Sequence, residues 1–160
     1  MGTYRVAQVC LNGHTITRAV DRMPELQEKF CSKCGEVTIM ECLSCVTPIR
    51  GEFETEGVLI LGSGYTAAAF CYTCGKPFPW TQKRVKAAIE LVQAADIEGQ
   101  ELAQFERDVQ SLTKDSSETT IASIRFKKIM GKVGSSIAGG VKDILVDVVS
   151  EAAKKAIWGI

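Results

Sequence analysis

The chain has 160 residues, 46% hydrophobic and 24% charged, with 19 Lys/Arg against 19 Asp/Glu. That balance excludes a disordered chain and a strongly basic one, and the length suits one ordinary domain or two small ones. No apolar run reaches the roughly 18 residues of a spanning helix, and "MGTYRVAQVC" lacks the apolar core of a secretion signal, so the expected location is the cytoplasm.

Residues 1–80 are rich in Cys, Gly and β-branched residues, and short runs such as "EVTIM" and "GVLIL" predict small strands. "GSGY" at 62–65 lacks the Lys and the spacing of a phosphate loop and reads as a hairpin or loop turn. The composition changes at "PFPWTQ", which places a boundary near Trp80. Beyond it the pattern is helical. Thr81 is a candidate cap for a helix carrying Val85, Ala88, Ile89 and Val92 at three-to-four spacing. A second helix is expected from Glu98 to Leu112 and a third through Ile121, Ile124, Ile129 and Met130. "GKVGSSIAGG" is expected to loosen the chain before a last helix from Val141 to Trp158. The prediction is therefore a helical domain over 81–160 with about four helices, the last strongly apolar.

All seven cysteines and the only histidine lie between Cys10 and Cys74. They fall into four close pairs: Cys10 with His14, Cys31 with Cys34, Cys42 with Cys45, and Cys71 with Cys74. An odd cysteine count in a reducing compartment argues against a disulfide framework and for metal. A C-x-x-C turn brings two sulfurs to one metal while its backbone N–H groups face the thiolates. Gly35 and Gly75 follow two of the pairs, where a left-handed residue is often required. Eight donors fill two tetrahedral sites, so two zinc ions per chain are expected. Pairing can be sequential, with Cys10, His14, Cys31 and Cys34 on one ion and Cys42, Cys45, Cys71 and Cys74 on the other, or interleaved as in a cross-brace. The echo of "FCSKCG" in "FCYTCG" favours the sequential arrangement, each copy closing one unit.

The order "CLNGH…FCSKCG…CLSC…IRG…FCYTCGKPFPW" resembles double zinc ribbons. Taken whole, with "RFKKIMGK" and "KDILVDVVSEAAKK", the chain also resembles a family of small bacterial proteins of unassigned function. The resemblance implies tandem zinc ribbons over residues 1–80, followed by helices: a small, metal-bound α+β fold. It transfers no activity and no catalytic residue.

Filled protein ligand sets, and the lack of H-x-E or H-E-x-x-H, lead us to expect no enzyme. Residues 1–80 hold seven Lys/Arg and eight Asp/Glu. With metal-bound thiolates counted, that half carries about −4, which disfavours nucleic acid. Arg125, Lys128 and Lys132 form the best basic stripe, read first as a solvated helix face and second as a contact for phosphate or an anionic membrane. Along 141–158, Asp143, Asp147, Ser150 and Lys154 leave only a narrow polar stripe, so most of that helix must be covered. A bundle core, an interface with a protein partner or a second copy, and membrane-surface insertion all satisfy this requirement. The expected function is a non-catalytic zinc-binding adaptor, the ribbons acting as scaffold and the C-terminal helices binding a partner or another copy. The alternatives are a membrane-acting effector and a nucleic-acid-binding zinc ribbon.

Overall fold

The computed structural model describes residues 1–59, 61 and 64–160. The chain divides into two compact units, Met1–Thr81 and Gln82–Ile160. It is a small α+β protein, with short antiparallel strands in the first unit and helices in the second.

The strands of the first unit are β1 Gly2–Val6, β2 Gln8–Cys10, β3 Thr15–Thr17, β4 Thr38–Ile39 and β5 Arg50–Thr55. β2 is the centre of a three-stranded antiparallel sheet in the order β3-β2-β4, with Val9 opposite Ile39 and Cys10 opposite Thr38. β1 pairs with β5 in a separate ribbon, Tyr4 opposite Phe53 and Thr3 opposite Glu54. Alternation along these strands divides the ribbon into two chemically different faces. On one, Tyr4 and Phe53 meet edge to face at 4.9 Å, and the Arg50 guanidinium sits between the rings of Tyr4 and Tyr72. On the other, Arg5 pairs with Glu54 and Asp21, and Arg22 pairs with Glu54 at 3.0 Å.

Strands of two to six residues bury little, so the unit is tied together by backbone bonds between segments. Ala7 N–H donates to Ile49 O at 2.9 Å, Val20 to Val6 at 2.8 Å and Glu52 to Arg18 at 3.0 Å. This last approach requires Gly51, since a Cβ there would lie 2.0 Å from the Arg18 carbonyl oxygen. Gln8 is buried and uses both ends of its amide. It donates to Glu28 O and Thr38 Oγ1 and accepts from Glu28 N–H, joining β2 to the segment before Cys31. The expected strand over "GVLIL" does not form at Gly57–Leu59 or at Leu61, and Ile60 lies outside the described residues. Of the turn expected at "GSGY", Gly62 and Ser63 lie outside the described residues, and Gly64 and Tyr65 are irregular.

Five helices follow: α1 Pro79–Gln93, α2 Gly99–Leu112, α3 Thr119–Val133, α4 Ser135–Leu145 and α5 Glu151–Trp158. α1 begins two residues before the expected cap. Pro79 suits the first helical position, where its missing N–H costs nothing, and the Thr81 hydroxyl donates to Ala69 O instead of capping. α3 packs against α2, α4 and α5. Its buried face is Thr119, Ala122, Ser123, Phe126 and Ile129, while Ile121 and Ile124, two of the apolar residues that marked this helix, are exposed. Phe126 stacks on Phe105 at 5.7 Å and receives the edge of Trp158 at 6.1 Å.

The single helix expected over 141–158 is two. "SSIAGG" is helical rather than loose, and the chain breaks at 146–150. Tertiary bonding explains the break: Ser150 N–H donates to Leu112 O, and the Ser150 hydroxyl caps α5 by accepting from Ala153 N–H. Adjacent Val148 and Val149 are both buried there, together with Val141, Leu145 and Ala153, so this apolar surface is spent within the chain's own core. The polar stripe disperses accordingly. Asp147 pairs with Arg84 at 3.0 Å, and Lys154 pairs with Glu151 at 2.9 Å.

Candidate metal centres

Three of the four ligand pairs are built on one repeated backbone unit. Cys31 N–H donates to Glu36 O and Gly35 N–H to Cys31 O. Cys42 and Val46 make the same two bonds with Thr47 O and Cys42 O, and Cys71 and Gly75 with Lys76 O and Cys71 O. Each unit is closed by a bridge between the residue before its first Cys and the third residue after its second: Phe30 with Val37, Glu41 with Pro48, Phe70 with Pro77. The turn needs a left-handed residue after the second Cys. Gly35 has φ 75°, Gly75 has φ 74°, and Val46 takes the same conformation at φ 66°. The Cys42 pair is thus a third copy of the repeat, and the proline common to Thr47-Pro48 and Lys76-Pro77 is its sequence trace.

The fourth pair differs. Cys10 ends β2, and Leu11 to His14 turn the chain toward β3, with Gly13 at φ 93°. Cys10 N–H donates to His14 O at 2.9 Å, while His14 N–H points at Cys10 Sγ at 3.3 Å. The longer spacing directs the imidazole Nδ1 toward the cysteines.

The eight side chains form two groups. Cys10, His14, Cys31 and Cys34 make one, and Cys42, Cys45, Cys71 and Cys74 the other, with the ligand atoms of each within 4.8 Å of one another. In the first, Cys10 Sγ is 3.5 Å from His14 Nδ1 and 3.7 Å from Cys34 Sγ, and Cys31 Sγ is 3.7 Å from His14 Nδ1. In the second, Cys42 and Cys74 are 3.7 Å apart and Cys45 and Cys71 3.6 Å. A disulfide needs about 2.05 Å, and all seven cysteines are free. A tetrahedral metal with sulfur at about 2.3 Å and nitrogen at about 2.0 Å sets its ligand atoms about 3.5–3.8 Å apart. The donor sets therefore fit a four-coordinate metal, with the pairs joined sequentially rather than interleaved.

The surroundings lower three of the thiols and raise two. Glu36 N–H and then the Asn12 side chain draw the Cys34 thiol down to about 6. The Thr47 hydroxyl and then its N–H do the same for Cys45, also to about 6. Backbone N–H groups of Cys45 and Ser44 lower Cys42. Burial raises Cys10, against the N–H groups of His14 and Asn12. At Cys74, Lys76 N–H pulls downward, but burial and the neighbouring thiols of Cys42, Cys45 and Cys71 outweigh it and push the group up to about 11. Metal ligation needs the cysteines as thiolates, and a divalent cation would displace whatever protons they hold. Asn12, Thr47 and Gln8 had no ligand-like signature in the sequence.

The basic stripe of α3 is largely compensated. Asp108 is buried and accepts from Arg125 Nε and Nη2 at 3.0 and 2.7 Å and from Gln104 Nε2 at 3.0 Å, while Lys132 pairs with Glu101. Lys128 is exposed. No helix among the described residues is long and apolar enough to cross a membrane.

A search of curated proteins and a search of solved structures each found no match. Residues 3–157 match the model of a family described as an uncharacterized protein conserved in bacteria (DUF2321), and the chain belongs to that bacterial family.

Proposed function

We propose that the protein is a non-catalytic zinc-binding adaptor, in which two zinc ions hold the first unit as a scaffold and the helical unit carries the contact with a protein partner or a second copy. The carrying observation is the closure of all eight donors into two complete four-ligand groups. A metal so enclosed has no position left for substrate or activated water, which is the character of a structural rather than a catalytic zinc site. Zinc fits better than the hard, oxygen-seeking alkaline-earth cations because the donors are sulfur and imidazole. A unit with so small a core depends on such staples.

Contact through the helices is supported by exposed Ile121 and Ile124, one turn apart on α3. Of residues 141–158, for which a bundle core, an interface and membrane-surface insertion were all open, Val141, Leu145, Val148, Val149 and Ala153 are buried and the other apolar side chains half-buried. The protein acts in the cytoplasm on this reading. Light scattering of the zinc-loaded full chain tests the contact: a dimer that becomes a monomer in Ile121→Asp/Ile124→Asp supports self-association. A wild-type monomer whose cross-links to partners in the native bacterium persist in that variant contradicts the use of this face.

A further inference from the structure

We infer that the groove between α2 and α3 is a binding site for a small organic phosphate monoester. The inference goes beyond the adaptor reading and does not depend on it. The groove measures about 700 Å³, a size that accepts a small organic molecule, and it lies within the helical unit. Its cations are Arg107, Arg125, Lys128 and Lys132, and its acids are Glu101 and Asp108. Two positive charges are left over, and the dianion of a phosphate monoester balances them where a single carboxylate does not.

Arg125 carries the specificity. Its Nε and Nη2 engage buried Asp108 side-on, three bonds of 2.7–3.0 Å holding the plane of the guanidinium. This arrangement leaves the Nη1 side of the fork for an oxyanion, and the orientation is settled before any ligand arrives. Gln104 also donates to Asp108 Oδ1, so the carboxylate is fixed from both helices. Lys128 lies one turn further along the same face of α3, has no acidic partner among the described residues, and lines the groove. Arg107 approaches from α2, held by Gln104 Oε1 at 2.9 Å. Lys132 is paired with Glu101, but both side chains are exposed, and exposed pairs of this kind are weak enough to exchange for a phosphate. Phe105 and Ile129 supply an apolar floor for the organic part.

The test is an amide chemical-shift titration of the zinc-loaded full chain with phenyl phosphate, alongside benzoate and a short single-stranded DNA. The expected result is saturable shifts confined to residues 101–108 and 125–132, with benzoate at least about tenfold weaker. Lys128→Ala should weaken phenyl phosphate about tenfold, the loss of one charge-assisted hydrogen bond, without moving the thermal midpoint. Arg125→Lys should also weaken it, but that variant disturbs Asp108, so Lys128→Ala is the deciding one. Absence of saturation, equal binding by Lys128→Ala, or benzoate as tight as phenyl phosphate would overturn the inference. So would DNA that displaces phenyl phosphate with affinity falling steeply in salt, because the groove would then be a polymer-backbone surface.

Discussion

Val46 holds, at φ 66°, the left-handed position after its knuckle that Gly75 holds at φ 74° after the matching one. A β-branched residue pays about 1–2 kcal/mol for this conformation, whereas glycine pays almost nothing. The Val46 side chain is exposed, so it recovers little of that cost through packing. Val46→Gly should therefore stabilise the first unit by about 1 kcal/mol once the extra freedom of glycine in the unfolded chain is subtracted. Thermal unfolding at fixed zinc reads this as a raised midpoint. Gly75→Val should lower it. A destabilised Val46→Gly would show that the valine has a packing role.

Gly51 answers to a different constraint, since its φ is not left-handed but its Cα faces a carbonyl. A methyl group there would lie 2.0 Å from Arg18 O, and the obstacle is backbone, which cannot rotate aside. Gly51→Ala should cost about 3 kcal/mol, at the upper end for overpacking. A Cβ at Gly64 meets nothing within 4 Å among the described residues, and Gly64→Ala should change stability by less than about 0.5 kcal/mol. Denaturant unfolding of the two variants side by side distinguishes a local clash from a general intolerance of alanine.

The Asp108–Arg125 pair is asymmetric. Asp108 has 3% side-chain exposure and Arg125 40%, so the two ends differ in access to water. Removing Arg125 strands a buried carboxylate, whereas removing Asp108 leaves a guanidinium that water can reach. Arg125→Gln should consequently lower the unfolding midpoint more than Asp108→Asn, and the double variant should be milder than the sum. Equal single effects with full additivity would mean that the pair is not coupled.

Acid should loosen the β1–β5 ribbon in a defined window. The Arg5 side chain lowers Glu54 from 4.5. Burial pushes Asp21 upward, but the N–H groups of Val6 and of Asp21 itself, together with Arg5, outweigh it and carry the carboxyl below 3.8. Both folded values lie below the unfolded ones, so the contribution to stability is complete above about pH 5. It is lost as pH falls through the folded values. Carboxyl ¹³C titration of the zinc-loaded protein should place both groups below those reference values. In Arg5→Met both should move up, and unshifted titrations there would remove Arg5 as the cause.

The ligands were legible in the sequence because metal chemistry restricts both residue type and spacing. No cysteine or histidine was left over to confuse the pattern, and a two-copy echo was enough to favour sequential pairing. The third copy was hidden because Val46 replaces the glycine that marks the other two, although Pro48 matched Pro77. The first helices were legible from spacing, and α2 starts one residue from its expected position. The break between α4 and α5 was not, since Asp143, Asp147, Ser150 and Lys154 keep a helical spacing straight through it. What ends α4 is the Leu112 carbonyl, far away in sequence, taking the Ser150 N–H. Ile121 and Ile124 show a related limit: spacing identifies an apolar residue but not which side of α3 the neighbouring helices occupy. Gln8 and the Asp108–Arg125 pair depend on partners that no local pattern specifies.

Metal content is the most direct test of the scaffold. Native mass spectrometry of the full-length protein, purified without added chelator, should show about two zinc ions per chain, one for each four-ligand group. Cys31→Ser/Cys34→Ser should hold about one, and so should Cys71→Ser/Cys74→Ser, because each removes half of a single group. A wild-type chain that carries no metal and still shows the dispersed amide spectrum of a folded first unit would contradict the account, as would loss of both ions from either variant with that unit still folded.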